Sequence, residues 1–356
     1  MDVTSLLGKE LTWGRHKFVA LLVILVVLPA IFAYSTFAFQ HVLPTDAPVG
    51  VAPQEASVTE DDLNIATAAL TFFSDPQTYD SEDAAMRALS RERVYAVISV
   101  PPDLTDESLG TAHFDVYVSG SIVPYQQPAQ ALTSIVSYTL DDQLPREVTA
   151  SRTVVGTDYN LSEYMIPMFL LALVSLVALV YLPYTFDQEA AVIDRLRVET
   201  SLYAVVASKL AFFAALLVVP LAVFDVTSAF AGTDLHVLSL GTAIVTLLTF
   251  LLLGLVATTL MLLLGLGTWG RIANLLVMLF VLTFSGLAYP VGFFSPARRW
   301  FVRQVPTHYS AVTARGFVLR DDPIGLYSDW LLGLAACVVV AAVLFAGTVE
   351  LYERRA

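Results

Sequence analysis

The sequence predicts an α-helical membrane protein with six transmembrane helices, an inserted small α/β extracellular domain and an N-terminal interfacial helix. Two observations predict this class. Of the 356 residues, 56% are hydrophobic and 14% are charged, whereas soluble domains average about 25% charged residues. The charges are also unevenly placed, because residues 41–160 hold 18 acidic residues and 5 arginines, which equals the net charge of −13 for the whole chain.

This composition excludes three other classes of protein. A disordered chain is polar and poor in aromatic residues, but 11% of the residues here are aromatic. A soluble enzyme of this length needs far more polar surface. A nucleic-acid-binding protein is excluded because phosphate groups repel a chain with a net charge of −13.

Six hydrophobic segments are long enough to cross a bilayer, which takes about 20 apolar residues in a helix of about 30 Å. The predicted spans are residues 18–39, 164–186, 207–230, a stretch within 237–265, 272–294 and 330–349. An even number of spans places both termini on the same side of the membrane.

Basic residues near the ends of the spans predict cytoplasmic termini. Lys9, Arg15 and Lys17 precede the first span. Residues 1–17 also contain several leucines and Trp13, so we expect an amphipathic helix that lies on the inner membrane surface. A frayed tail is the alternative.

This orientation assigns the remaining segments. Residues 40–163 are predicted to form an acidic extracellular domain, and residues 164–356 to hold spans two to six. The outer interfacial segment, residues 291–329, then carries five arginines on the side where basic residues are usually scarce. These are Arg298, Arg299, Arg303, Arg315 and Arg320. We expect them to lie among lipid headgroups, with the aromatic residues dipping inward.

The acidic block has the pattern of a small α/β domain. Thr59 and Asp62 have the spacing of a capping box that opens a helix, and Ser81 is typical of the N-cap of a second helix. Short strands are predicted at residues 49–51, 94–100 and 114–118, and residues 127–144 show helical spacing.

The chain is predicted to be no enzyme by itself and to bind no cofactor. A P-loop requires a lysine between glycine and Ser or Thr. Of the three lysines only Lys9 follows a glycine, and Glu10 comes after it. None of the five histidines has a second metal ligand four residues away, and the lone Cys337 allows no cysteine-based metal site.

Two segments carry a resemblance to a known family. Residues 285–319 contain a Ser-Gly-x-x-x-Pro turn and, further on, a Pro-x-x-Tyr-x-x-x-x-x-Arg stretch. Residues 187–210 combine an acidic start, a short helix and a lysine that opens the third span. Both patterns resemble the ABC transporter type 2 permeases, and the position of the acidic block is similar to a subfamily with a large outer domain. The family's usual Gly-Thr and Ser-Pro pairs are replaced here by Ala191-Val192 and Thr200-Ser201.

The resemblance implies the permease half of an ATP-driven exporter in the cell (plasma) membrane. Two permease subunits, identical or paralogous, would pair, and each would dock a separate ABC ATPase subunit that binds ATP and Mg. Residues 187–206 would form the coupling loop, although a solvated amphipathic loop is the alternative. The implied coupling residues are Glu189, Ile193, Asp194, Arg195, Leu196, Arg197 and Glu199. Within this loop, Ile193 and Leu196 would insert into a groove of the ATPase.

Five residues are candidates for a translocation path or an outer gate: Asp225, Ser285, Gly286, Tyr289 and Pro290. Acidic residues inside a membrane segment indicate function by default, but Asp225 also fits a wet boundary or a helix-end contact. Gly286 and Pro290 are expected to break the fifth span. Tyr289 fits either a gate or the aromatic belt at the lipid interface.

The uncharged surfaces of the spans favour a hydrophobic or amphipathic cargo moved outward, with membrane lipids around the spans and no nucleic acid as a partner. An ion-coupled secondary transporter is a second hypothesis. It predicts inverted repeats and several intramembrane charges, but no repeat is found and Asp225 is the one such acid. A membrane-anchored receptor or assembly platform is a third, and it would need neither of the two family-like segments.

Overall fold

The structure, a computed structural model, describes residues 47–193, 201–233, 235–287 and 289–355. The chain divides into two compact units, Met1–Val42 and Leu43–Ala356, and every element described below belongs to the second. The predicted interfacial helix (1–17) and first span (18–39) lie outside the described residues. Residues 194–200 of the predicted coupling loop lie outside them as well.

Residues 47–159 form an α/β domain around a five-stranded sheet with the strand order β2-β1-β3-β4-β5. The strands are β1 (Pro48–Pro53), β2 (Asp75–Thr78), β3 (Ala96–Val100), β4 (Ala112–Ser119) and β5 (Val148–Val155). Strand β1 pairs in parallel with β2 and β3, and β4 pairs in parallel with β5. The β3–β4 pair is antiparallel. Every residue of the central strand β3 is buried, and four of its five residues are apolar. The fifth, Ser99, donates a hydrogen bond to Glu82 Oε2 at 2.8 Å.

Helices cover both faces of this sheet. They are α1 (Glu60–Leu70), α2 (Glu82–Ser90) and α3 (Gln126–Gln143). Helices α1 and α3 share one hydrophobic cluster with Ile98, and α2 shares another with Val97. Because side chains alternate across a strand, these neighbours in β3 point to opposite faces of the sheet.

The predicted starts of the first two helices are confirmed. In the capping box of α1, the Thr59 backbone nitrogen donates to Asp62 Oδ2 at 3.1 Å, and the Asp62 nitrogen donates to Thr59 Oγ1 at 3.2 Å. The Ser81 hydroxyl accepts a hydrogen bond from the Ala84 nitrogen at 3.3 Å and caps α2. Each cap satisfies a backbone donor that the helix itself leaves unpaired.

Residues 160–355 are mostly helical. The helices are α4 (Leu161–Leu176), α5 (Leu182–Gln188), α6 (Leu202–Leu216), α7 (Val218–Phe230), α8 (Leu240–Leu263), α9 (Thr268–Phe284), α10 (Pro296–Val302), α11 (Pro306–Leu319) and α12 (Ser328–Arg355). A π-helical turn at Val177–Tyr181 joins α4 to α5. Most of these helices bury one side against a single large hydrophobic cluster.

Within the described residues, four helical stretches are long and apolar enough to cross a membrane. They are Leu161–Gln188, Leu202–Phe230, Leu240–Leu263 and Ile324–Arg354. The predicted end of the fifth span at residue 294 is wrong, because α9 has 17 residues and ends at Phe284. Gly286 follows with a φ of 64°, which no α-helix accommodates. The total of six membrane spans remains a prediction.

Helix α11 is the most enclosed of the helices α4 to α12. Twelve of its 14 residues are buried, and it packs against α4, α8 and α12. Its polar residues find partners inside the protein, since Thr249 Oγ1 of α8 donates to Ser310 Oγ at 2.8 Å. The predicted surface position of segment 291–329 is therefore wrong for α11, which lies in the interior of the helical part.

Candidate functional site

The turn after α9 brings Ser285 and Gly286 against the start of α11. The buried Ser285 hydroxyl hydrogen bonds with the Thr307 hydroxyl, and His308 Nδ1 lies 3.4 Å from the Ser285 carbonyl oxygen. Gly286 adopts a left-handed conformation with a φ of 64°, and a Cβ built there would lie 2.7 Å from Val291 Cγ2. Conformation and space both require glycine at this position.

The other two residues of this turn, Tyr289 and Pro290, lead towards the α/β domain. Pro290 is buried. The Tyr289 ring packs edge-on against Phe293 with 4.9 Å between centroids, and Phe293 contacts Tyr125 at 5.9 Å. Four of the five predicted path residues therefore share one turn, and aromatic contacts connect that turn to the α/β domain.

A buried ion pair connects α11 to the α/β domain. Arg315 donates from Nε to Glu92 Oε1 at 2.8 Å and from Nη2 to Glu92 Oε2 at 2.7 Å, and each side chain is 1% exposed. Arg315 Nη1 also donates to the Gly286 carbonyl oxygen at 3.1 Å. One guanidinium thus binds the domain through Glu92 and the turn through Gly286.

The Glu92 carboxyl is ionised because of this arginine. Burial by itself would raise the pKa of Glu92, but the positive charge and hydrogen bonds of Arg315 outweigh it and hold the pKa below the ordinary 4.5. Two-point binding of a carboxylate by a guanidinium is strong and fixes orientation. The pair therefore sets how α11 sits against the loop between α2 and β3.

Arg320 makes a second set of contacts with the same region. It donates to Asp322 Oδ2 at 2.9 Å, to Ser121 Oγ at 2.8 Å and to the Ser90 carbonyl oxygen at 2.8 Å. We call the contacts of Arg315 with Glu92, and of Arg320 with Ser90 and Ser121, the ionic junction. It joins the α/β domain to the helical part at positions distant in sequence.

The structure corrects the prediction that the arginines of segment 291–329 lie among lipid headgroups for three of the five, Arg299, Arg315 and Arg320. The side chains of Arg299 and Arg315 are 6% and 1% exposed, and Arg320 is almost as enclosed at 12%. Their charges are balanced by acidic groups of the protein instead, such as Asp75 at 3.6 Å from Arg299. Sequence reasoning missed Glu92, although an acidic block beside unexplained arginines was the available signal.

Two ion pairs organise the opposite end of the helical part, where the predicted coupling loop begins. Glu189 Oε2 lies 2.8 Å from Lys209 Nζ of α6, and Asp187 Oδ2 lies 2.9 Å from Arg271 Nη1 of α9. The end of α5, the middle of α6 and the start of α9 therefore meet here. Of the predicted coupling residues, Asp194, Arg195, Leu196, Arg197 and Glu199 lie outside the described residues.

Ile193 was expected to insert into a groove of a partner. The structure places its side chain in the hydrophobic core of this same chain, where it is 0% exposed. A fully buried side chain contacts no partner, so Ile193 anchors the start of the loop in this conformation and is corrected from a contact residue to a core residue.

Asp225 makes a helix-end contact, which was one of its expected alternatives. Its Oδ1 accepts a hydrogen bond from the Leu238 backbone nitrogen at 3.0 Å, just before α8 begins at Leu240.

The variant Asp225→Asn keeps an acceptor oxygen and is expected to unfold at the wild-type temperature. Asp225→Ala loses the bond, worth about 0.5–1.5 kcal/mol, and is expected to unfold a few degrees lower in a thermal melt. Equal losses in both variants would show that the charge itself matters.

Nowhere in the described part of the chain do three or more His, Cys, Asp or Glu residues form a group that could hold a metal ion. The family model described as ABC-2 family transporter protein matches residues 17–347. No curated protein and no solved structure matches the chain. The family match includes the α/β domain and the described helices up to residue 347, as well as the turn at Ser285 and the segment that begins at Asp187.

Proposed function

The chain belongs to the ABC-2 family of transporter proteins, and from this premise we propose that it is the membrane-spanning permease subunit of an ATP-driven exporter. Membership makes it a membrane protein and a non-catalytic transport component that works with an ABC ATPase. The observation that carries the proposal is the family match over residues 17–347, which covers every described helix except the last eight residues of α12.

We propose that residues 187–206 receive the movement of the ATPase, which binds ATP and Mg in a separate subunit. The pairs Glu189–Lys209 and Asp187–Arg271 support this role. They tie the end of α5 to α6 and α9, so a displacement of the loop moves three helices as one body, the kind of rigid-body step that drives conformational switching.

We place the outward end of the translocation path at the turn formed by Ser285, Gly286, Tyr289 and Pro290. In this proposal the α/β domain is extracellular, both termini are cytoplasmic in the plasma membrane, and a second permease subunit completes the path. The cargo is hydrophobic or amphipathic. Asp225 is left out of the path because its carboxylate holds the backbone before α8.

Co-purification tests this function. A tagged chain isolated gently from its native membrane should retain an ABC ATPase subunit, identified by mass spectrometry. Charge reversal of Arg195 and Arg197 should weaken retention about tenfold, equivalent to 1.4 kcal/mol, and should uncouple ATP hydrolysis from transport. Reversal of the exposed Arg354 at the end of α12 is the control and should leave both unchanged.

One result would contradict the permease role, and a second would contradict only the coupling loop. Purification that never retains an ATPase favours the secondary transporter or the receptor. Normal retention and coupling in the Arg195→Glu/Arg197→Glu variant removes the assignment of the coupling loop, while leaving the permease itself standing.

A further inference from the structure

A cavity of about 330 Å³ lies between the start of α11 and the first turns of α12. This volume is at the lower end of the range for small-molecule sites. The cavity is distinct from the turn at Ser285 and from the coupling loop. Its walls include Arg303 and Asp329 on the polar side and Tyr309, Trp330 and Gly333 on the apolar side.

The apolar wall follows α12, one of the candidate membrane spans. The rings of Tyr309 and Trp330 stack edge to face with 5.1 Å between centroids, and such residues concentrate where a span meets the headgroup region. A Cβ added at Gly333 would meet nothing within 4 Å, so the wall is open there. Asp329 and Cys337 are eight residues apart, which gives about 12 Å of apolar wall along the helix.

Arg303 and Asp329 line the polar side of the cavity, and Arg91, which lies beside the cavity, neutralises Asp329 and leaves the charge of Arg303 in excess. Arg91 Nη2 lies 2.8 Å from Asp329 Oδ1, and its guanidinium also lies 5.3 Å from the centre of the Trp330 ring. Arg303 donates one hydrogen bond within the described residues, from Nη2 to the Arg93 carbonyl oxygen at 3.2 Å. A guanidinium has five N–H donors, so Arg303 keeps donors for a ligand. One excess positive charge on a chain of net −13 selects for an anion.

We propose that this cavity binds one anionic phospholipid, with its phosphate at Arg303 and one acyl chain along Gly333 towards Cys337. The site combines what such a ligand requires: a cation at the rim, aromatic rings at interface depth and an open apolar wall. Guanidinium groups bind phosphate oxygens with charge-assisted hydrogen bonds. The lipid would be a resident ligand of the permease, separate from any cargo.

Lipid titration of the full chain in detergent, followed by native mass spectrometry, tests the proposal. Delipidated protein titrated with phosphatidylglycerol should take up one tightly bound lipid per chain. Gly333→Leu fills the open wall and should bind at least tenfold more weakly. Gly347→Leu is the matched control, because it lies on the same helix and its added Cβ also meets nothing within 4 Å. It should bind like the wild type.

One further variant and two further ligands show whether the site binds an anionic lipid, any phospholipid or a free phosphate compound. Arg303→Gln should weaken phosphatidylglycerol binding about tenfold, and phosphatidylcholine and soluble glycerol phosphate should bind the wild type at least tenfold more weakly than phosphatidylglycerol. Equal binding of phosphatidylglycerol to the wild type and the Gly333→Leu variant would overturn the site, provided both melt at the same temperature. Equal binding of glycerol phosphate would overturn the lipid, and equal binding of phosphatidylcholine would overturn the choice of an anion.

Discussion

Replacing Glu92 with glutamine is expected to lower the stability of the protein by about 3–5 kcal/mol, the usual effect of removing one partner of a buried ion pair. Glutamine keeps the size of the side chain but leaves Arg315 charged and uncompensated at 1% exposure. Arg315→Met should have a similar effect by leaving the carboxylate alone. The measurement is thermal unfolding of the purified chain in detergent, with circular dichroism as the signal.

The double variant Glu92→Gln/Arg315→Met should lose less stability than the two single variants lose together, because no isolated charge remains. Additive losses would show that the two groups do not act as a pair. Asp329→Asn is the control. It breaks the ion pair between Arg91 and Asp329, in which the Asp329 side chain is 54% exposed. Exposed pairs contribute about 0–1 kcal/mol, so this melt should hardly change.

A fall in pH should reduce the contribution of Glu92 to the stability of the folded protein. Its pKa is lower in the folded protein than the ordinary 4.5, so the unfolded chain takes up the proton first as the pH falls. The stabilisation is complete above pH 4.5 and is lost as the pH falls through the lower folded value. The difference in melting temperature between the wild type and Glu92→Gln should therefore narrow only in that acidic range.

Gly286→Ala is expected to have the second largest effect. A non-glycine residue with left-handed backbone costs about 1–2 kcal/mol, and crowding of a packed interior costs about 1–3 kcal/mol more. Crowding applies because the new Cβ would lie 2.7 Å from Val291 Cγ2. The shifted carbonyl oxygen would also weaken the hydrogen bond from Arg315. The temperature of thermal unfolding and the rate of transport should both decrease.

Gly265→Ala separates the two causes. Gly265 has a φ of 79°, but a Cβ there meets nothing within 4 Å, so this variant should show the conformational cost without the crowding. If both variants lose the same stability, the contact with Val291 plays no part. If Gly286→Ala transports normally despite a lower melting temperature, the turn stabilises the fold but does not act as a gate.

Local signals in the sequence predicted the parts of the fold that depend on neighbouring residues. The capping box at Thr59, the cap at Ser81 and helix α3 follow from short spacings, and the apolar lengths predicted four of the long helices. Strands β2 and β5 were missed because they are the two edges of the sheet. Strand β2 reads Asp-Pro-Gln-Thr and has no buried residue, so it shows no apolar alternation.

Contacts between distant segments could not be predicted in this way. The sequence placed Ser285, Gly286, Tyr289 and Pro290 in one turn because they are consecutive or nearly so. The partner of Arg315 is Glu92, which belongs to another domain, and no periodicity relates the two. The arginines were therefore assigned to lipid headgroups, whereas the acidic domain supplies the counter-charges of Arg299 and Arg315, and Asp322 supplies that of Arg320.

The distance between Glu92 and Arg315 in the chain also sets an order of assembly. They are 223 positions apart, and a ribosome adds about 5–20 residues per second, so Glu92 waits roughly 10–45 s for its partner. During that time the carboxylate must stay in water, while the sheet around it can already close. Arg315 thus covers the loop between α2 and β3 only late in synthesis, and the accessibility of this loop distinguishes an unfinished chain from a completed one.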